Sequence, residues 1–550
     1  TKMPAMHRYG PGIGVLPEDI VIMVLRSAAR PEAPANLRWK QQLPLLAVCR
    51  QWRRIALPLV ARALYIVYGN QSDILRPLSA APICDADCAG PLSSNMDLLG
   101  SDGYAGVKMD LRVRVFFGSN PLPALDAILG AMRRARAQWA NIRSLTVNMT
   151  AQIHRLRSAL PDACAPRRQT TRIARRLAEL LPGVRKLQID GPYRNEFTSP
   201  FYGRLAHMFS HQLTEMVCLP PIPATSISFS SQLTCLEIGP GPGAGHTIPR
   251  AVAGTLMSLT LYSLHPSYGW GSFADGTGAG QQPIVFASLK RLWLFYSHDG
   301  GGSKSGEGTA SRLEFPALEM LHYCNECSST EFLDVAQLPA RMDSVRIRAT
   351  HSTFQRLCEM GLPRVDDLSL SVLQQPQQEG KCTAVVLFRT LSQLIAQTKP
   401  RHGAEILVDD KEVLLDPTHI ACPQLSRLRV TAPASAETLL AVIVRFPHLQ
   451  ALTFTNLAPP QVPAEIPVAA LAAGDAVGLP PFATRLEALY IEFRPRLYPA
   501  EVALAVAQYV MLRTPSLRRV LLRNLPGKMF EAFFQQYRAA YPHLETICML

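Results

Sequence analysis

The sequence predicts an α/β repeat fold, with a small three-helix module at its start followed by a long, irregular solenoid of short strands. Three observations carry that prediction. A unit of the form apolar-x-x-apolar-x-apolar recurs thirteen times between residues 142 and 549. Seven of the thirteen have Pro two residues before the first apolar position. By contrast, residues 16–64 place their apolar side chains at helical rather than alternating spacing.

Residues 1–15 are rich in Gly and Pro and read as a flexible leader. Leu16-Pro17-Glu18-Asp19 is a helix start, because Pro at a first helical position loses no intrahelical bond and acids suit the positive first turn. Ile20, Val24 and Ala28, flanked by Val21 and Leu25, then share one face. Leu43-Pro44 opens a second helix and Leu57-Pro58 a third, which carries Leu59, Val60, Ala63 and Leu64. Three small apolar faces bury little surface by themselves, so this module is expected to lean on a partner or on the next domain.

Leu16, Pro17, Ile20, Leu25, Leu45, Val48, Cys49, Trp52, Arg53 and Ala56 together resemble an F-box. The resemblance implies a three-helix module that docks a Skp-family adaptor, and through it a cullin–RING ubiquitin ligase. Leu16, Pro17, Ile20, Leu45, Val48, Cys49 and Trp52 would then form the adaptor contact. The link at 26–42 is longer than the family's usual one and holds Pro31, Pro34 and Trp39.

Residues 65–106 read as a strand (64–68, β-branched and aromatic) followed by a linker rich in Pro, Ser, Asp and Gly. Residues 111–117 alternate apolar side chains with Arg, a strand with one wet face, and 123–139 have helical spacing. The repeating units begin at Ile142, Val184, Leu233, Leu256, Leu289, Leu318, Met342, Val365, Leu425, Leu449, Leu486, Leu517 and Leu544. Their prolines are Pro182, Pro316, Pro363, Pro423, Pro447, Pro515 and Pro542, each expected to end a preceding helix and turn the chain. Helices are expected between strands at 170–181, 384–397, 436–446 and 501–513. The units resemble leucine-rich repeats of an irregular sort, with Asn456 and Asn524 near the family's Asn position. That resemblance implies one solenoid over 107–550, in which stacked neighbours bury each other's apolar faces. Gly- or Pro-rich loops are expected near 265–285, 297–312 and 458–482.

An apolar content of 48% against 18% charged residues indicates a folded chain. Residues 1–186 hold 27 Lys and Arg against 12 Asp and Glu, whereas the remainder is balanced, 29 against 30. The positive excess is densest at 133–186, where Arg167, Arg168, Arg172, Arg175 and Arg176 form a candidate patch for an acidic partner. Sparse aromatic residues there disfavour nucleic acid. Cys324 and Cys327 form a lone CxxC with no second pair, so no metal is assigned. Ser303-Lys304-Ser305-Gly306 lacks the leading Gly of a phosphate loop, and neither a nucleophile elbow nor a zincin helix occurs. No catalytic residue and no cofactor is assigned. No apolar run approaches the roughly 20 residues of a membrane span and no secretion signal opens the sequence, so a cytoplasmic or nuclear location is expected.

An F-box-like module before leucine-rich repeats implies a non-enzymatic substrate-recognition subunit of a Skp–cullin–F-box ubiquitin ligase, whose repeats bind a protein target. Two alternatives stay open at this point. One is a repeat scaffold without a ligase role, and the other is a nucleic-acid-associated regulator acting through 133–186.

Overall fold

The computed structural model describes residues 63–68, 93–94, 109–117, 122–134, 139–151, 164–190, 198–219, 231–239, 250–264, 283–296, 312–326, 331–373, 384–408, 422, 424–434, 436–457, 482, 485–493, 500–524 and 546–549. The leader and the three-helix module up to residue 62 lie outside the described residues. The chain divides into two compact units, Thr1–His246 and Thr247–Leu550, at a point within the stretch read above as one array. Both are α/β, dominated by parallel strands, and neither is a closed barrel.

In the first unit the strands are β1 (Ala63–Tyr68), β2 (Ser93–Ser94), β3 (Met109–Phe117), β4 (Ile142–Ala151), β5 (Lys186–Asp190), β6 (Glu215–Cys218) and β7 (Cys235–Ile238). β2 lies antiparallel to β1, and the rest run parallel in the order β1-β3-β4-β5-β6-β7. Parallel neighbours need a crossover. Helices α1 (Leu122–Arg134), α2 (Cys164–Leu180) and α3 (Thr198–Phe209) supply the three crossovers from β3 to β6 and pack side by side. Ala63 and Leu64, expected to close the third helix of the F-box-like module, instead open β1. Leu64 stands opposite Leu111 in the parallel ladder and is fully buried, so tertiary pairing outweighs the local helical spacing.

The second unit contains β8 (Ser258–Leu264), β9 (Ile284–Val285), β10 (Arg291–Tyr296), β11 (Leu313–Glu314), β12 (Met320–Asn325), β13 (Ala336–Gln337), β14 (Arg341–Ala349) and β15 (Arg364–Val372). They are followed by β16 (Gly403–Val408), β17 (Arg427–Ala434), β18 (Ala451–Leu457), β19 (Ala488–Phe493), β20 (Arg519–Arg523) and β21 (Thr546–Met549). The two-residue strands β9, β11 and β13 make a small parallel sheet, so the end of the loop expected near 265–285 is a strand. All the others pair in parallel in chain order, from β8-β10-β12 through to β21. Helices α4 (Arg250–Ala253), α5 (Glu331–Val335), α6 (His351–Met360), α7 (Ala384–Thr398), α8 (Ala436–Arg445) and α9 (Ala500–Arg513) lie between strands. α6 ends at Gly361, whose φ of 78° falls where a side chain is strained.

The recurring unit now has a physical account. In the twelve units whose three apolar positions are described, every one of those side chains is at most 5% exposed. Each such burial contributes about 1.5–3 kcal/mol, which is what the two inward rows of the sheet supply. The prolines act chiefly as turn residues. The amides of Val184, Leu318, Leu449 and Leu517 donate to the carbonyls of Leu181, Phe315, Phe446 and Thr514 at 3.3, 3.3, 3.1 and 3.1 Å. Pro therefore takes the second position of a four-residue turn, where its fixed φ is already correct. Pro182, Pro363, Pro447 and Pro515 follow helices as expected, whereas Pro316 follows β11; the turn bond is shared by Pro182, Pro316, Pro447 and Pro515, and Pro363 follows α6 without it.

Among the described residues no helix is long and apolar enough to cross a membrane.

Candidate binding face

Period-two alternation puts one face of each strand into the core and leaves the other outward. In β10, Leu292 and Leu294 are fully buried, while Arg291 and Trp293 are exposed and Phe295 is half-buried. Register then decides what stands beside them. Trp293 pairs with His322 of β12, which pairs with Arg346 of β14; Phe295 pairs with Cys324, which pairs with Arg348. Tyr262 of β8 stacks on Phe295 with centroids 4.8 Å apart and 14° between planes. The imidazole of His322 meets both Trp293 and Phe295 edge-on, at 5.3 and 5.2 Å. The four rings form one outward pad, and Trp293 remains 37% exposed on it.

A cationic edge borders the pad. Arg346 and Arg348 are exposed, and neither has a carboxylate within ion-pair distance among the described residues. Burial pushes the pKa of His322 below its ordinary value, and the charges of Arg346 and Arg348 push in the same direction. Farther along the face, arginines meet acids across strands. Glu405 of β16 lies 3.2 Å from Arg429 and accepts from the Ser369 hydroxyl at 2.9 Å. Glu492 of β19 lies 3.6 Å from Arg523 and accepts from the Tyr490 hydroxyl at 3.3 Å. Such exposed pairs contribute little to stability, but they neutralise that part of the surface.

The arrangement offers apolar contact next to positive charge. His322 packs there against two aromatic rings, with the arginines of β14 on its other side. Among the described residues no three potential metal ligands converge. Burial raises the thiol pKa values of Cys218, Cys324, Cys358 and Cys422, that of Cys358 to about 11, so these thiols stay protonated at neutral pH.

The expected adaptor contacts Leu16, Pro17, Ile20, Leu45, Val48, Cys49 and Trp52 all lie outside the described residues. The expected basic patch lies on α2, with Arg167 and Arg168 near its start. Ile173, Leu177 and Leu181 are buried, Arg172 and Arg175 are exposed and Arg176 is half-buried, as helical spacing requires. Arg172 lies 3.5 Å from Asp126 of α1, which also accepts from the Gln169 amide at 3.4 Å, so α1 offsets part of the patch's charge. Sequence reasoning passed over Trp293, Arg346 and Arg348, and took His322 only as a lone histidine more apt for a satisfied surface or core position than for catalysis. The signal was present: Trp293, His322 and Arg346 each sit at the outward position between the last two apolar residues of a unit, and Arg348 follows directly after one.

No protein-family model matches the chain, and no curated protein matches it either.

Proposed function

We propose that residues 107–550 act as an irregular leucine-rich-repeat solenoid that binds a protein target on its outward strand face. In this reading Leu16, Pro17, Ile20, Leu45, Val48, Cys49 and Trp52 dock a Skp-family adaptor. The chain is then a substrate-recognition subunit of a Skp–cullin–F-box ubiquitin ligase. It supplies no bond-making group; a ubiquitin-loaded enzyme on the cullin does the chemistry. The gain is effective concentration, because the target and the loaded enzyme are held within reach of each other.

One observation carries the repeat half of this reading. Register-matched inward rows of apolar residues run from β8 to β20, so the alternate positions form a continuous outward surface of variable side chains. The ligase half rests on the sequence pattern of 16–64. A pull-down of the full chain with the adaptor tests it, wild type beside Leu16→Ala/Pro17→Ala/Trp52→Ala with matched circular dichroism. Adaptor retained by wild type and lost in the variant is expected. No capture by wild type at micromolar concentration and low salt would sink the ligase reading and leave a repeat scaffold.

A further inference from the structure

The outward face of the second unit changes character within four neighbouring strands, and the change has a chemical direction. β8, β10 and β12 contribute the ring pad, and β14 contributes two arginines in register with it. We propose that this patch docks an acidic peptide segment with an apolar anchor. The anchor sits on Trp293, Phe295 and His322, and carboxylates beside it are held by Arg346 and Arg348. This deepens the target-binding reading and rests on it.

Charge complementarity selects this occupant. Arg presents a planar fork of donors that matches carboxylates two at a time, and Arg346 and Arg348 have no acid of their own among the described residues. Elsewhere on the face Glu405 and Glu492 already fill that role for Arg429 and Arg523. An acidic segment therefore meets on β14 two arginines that stand beside the ring pad and are not already paired, as Arg429 and Arg523 are. The pad supplies what a charged ligand alone would not use: an exposed indole packed against His322, which is itself packed against Phe295, the kind of rigid aromatic surface on which binding energy concentrates.

Nucleic acid fits the same surface less well. Bases stack on open ring faces along a continuous basic track. Here Tyr262 covers a face of Phe295, the His322 ring packs edge-on between its neighbours, and Glu405 lies two strands beyond Arg346.

The test is selection of phage-displayed random peptides on the immobilised full chain, with binding of the enriched peptides then measured by fluorescence anisotropy. Variants Trp293→Ser, Arg346→Glu/Arg348→Glu and Arg429→Glu, each with wild-type circular dichroism and thermal midpoint, are measured alongside. The expected result is enrichment of acidic peptides containing an aromatic or large aliphatic residue. Their affinity should fall about tenfold or more in the first two variants and stay within about twofold in Arg429→Glu. Neutral or basic consensus peptides, no enrichment, or tighter binding of an oligothymidylate probe at the same site would overturn the proposal. Acidic peptides insensitive to Arg346→Glu/Arg348→Glu but sensitive to Arg429→Glu would overturn this patch and keep the outward-face reading. Binding insensitive to every outward substitution would remove both.

Discussion

The imidazole of His322 is wedged against Trp293 and Phe295 on the outward face and is flanked by Arg346 and Arg348 of the neighbouring strand. Its titration, followed by NMR, should have a midpoint below the ordinary value of about 6.5. Arg346→Gln/Arg348→Gln should raise that midpoint only in part, because burial is the larger cause. The sign for stability follows. As pH falls through about 6.5 the unfolded chain takes up a proton that the folded site takes up only at lower pH, so the fold loses stability across that window. An acidic peptide on Arg346 and Arg348 would reverse part of the shift, so its binding should tighten as pH is lowered toward 6. Two glycines separate steric from conformational cost. A Cβ at Gly183 would lie 2.2 Å from the Ala140 carbonyl oxygen and 2.9 Å from that of Ile142, both backbone atoms that cannot swing away. Gly361 has open space but a φ of 78°. Gly183→Ala is expected to cost more than about 2 kcal/mol and Gly361→Ala about 1–2 kcal/mol, read as shifts in denaturant midpoint.

Within one turn-and-strand element the energetic weight lies on the inward residues. Leu292 and Leu321 are at most 1% exposed, and Leu292→Ala or Leu321→Ala should cost about 2–5 kcal/mol. Pro316→Ala should cost under about 1 kcal/mol, since Ala keeps the turn and only restores freedom to the unfolded chain. Equilibrium unfolding of the three variants would check the ranking, and a Pro316→Ala loss as large as Leu321→Ala would contradict it. The same asymmetry explains what could be read from the sequence. Inward positions must be apolar at fixed spacing, so the units at 142–522 were legible, as were α2, α7, α8 and α9 to within a few residues except at the start of α2. That start, at Cys164, lies six residues before the expected 170, and Pro166 sits in the first turn, where it needs no donor. β6 was missed because Met216 and Cys218 replace the usual aliphatics, and β16 because Arg401 holds the first position and Ala404 the second. α3 was obscured by Pro200 and Gly203, and α6 by its polar run, although Phe354 and Leu357 are buried. The binding face was hardest to see, because outward positions obey no spacing rule until the register shows which of them are neighbours.

At the scale of the whole molecule, most strands of both units are paired on two sides, whereas β21 is paired with β20 alone among the described strands. Strands with both neighbours in place open by losing two ladders, and β21 opens by losing one. Hydrogen exchange should therefore release amides of Thr546–Met549 well before those of β15 and β16, and equal protection would show that residues outside the described set hold that edge.

The register also sets a metre. Trp293 and Arg346 stand two strands apart, which at the usual parallel spacing is about 9.6 Å. A polyproline-type ligand crossing the strands advances about 3.1 Å per residue and presents the same side every third residue, about 9.3 Å on. The two rhythms coincide. Sequences read by this surface should accordingly scan like verse, with an apolar beat and an acidic beat three syllables apart, and inserting one residue between them would break the line even with composition unchanged.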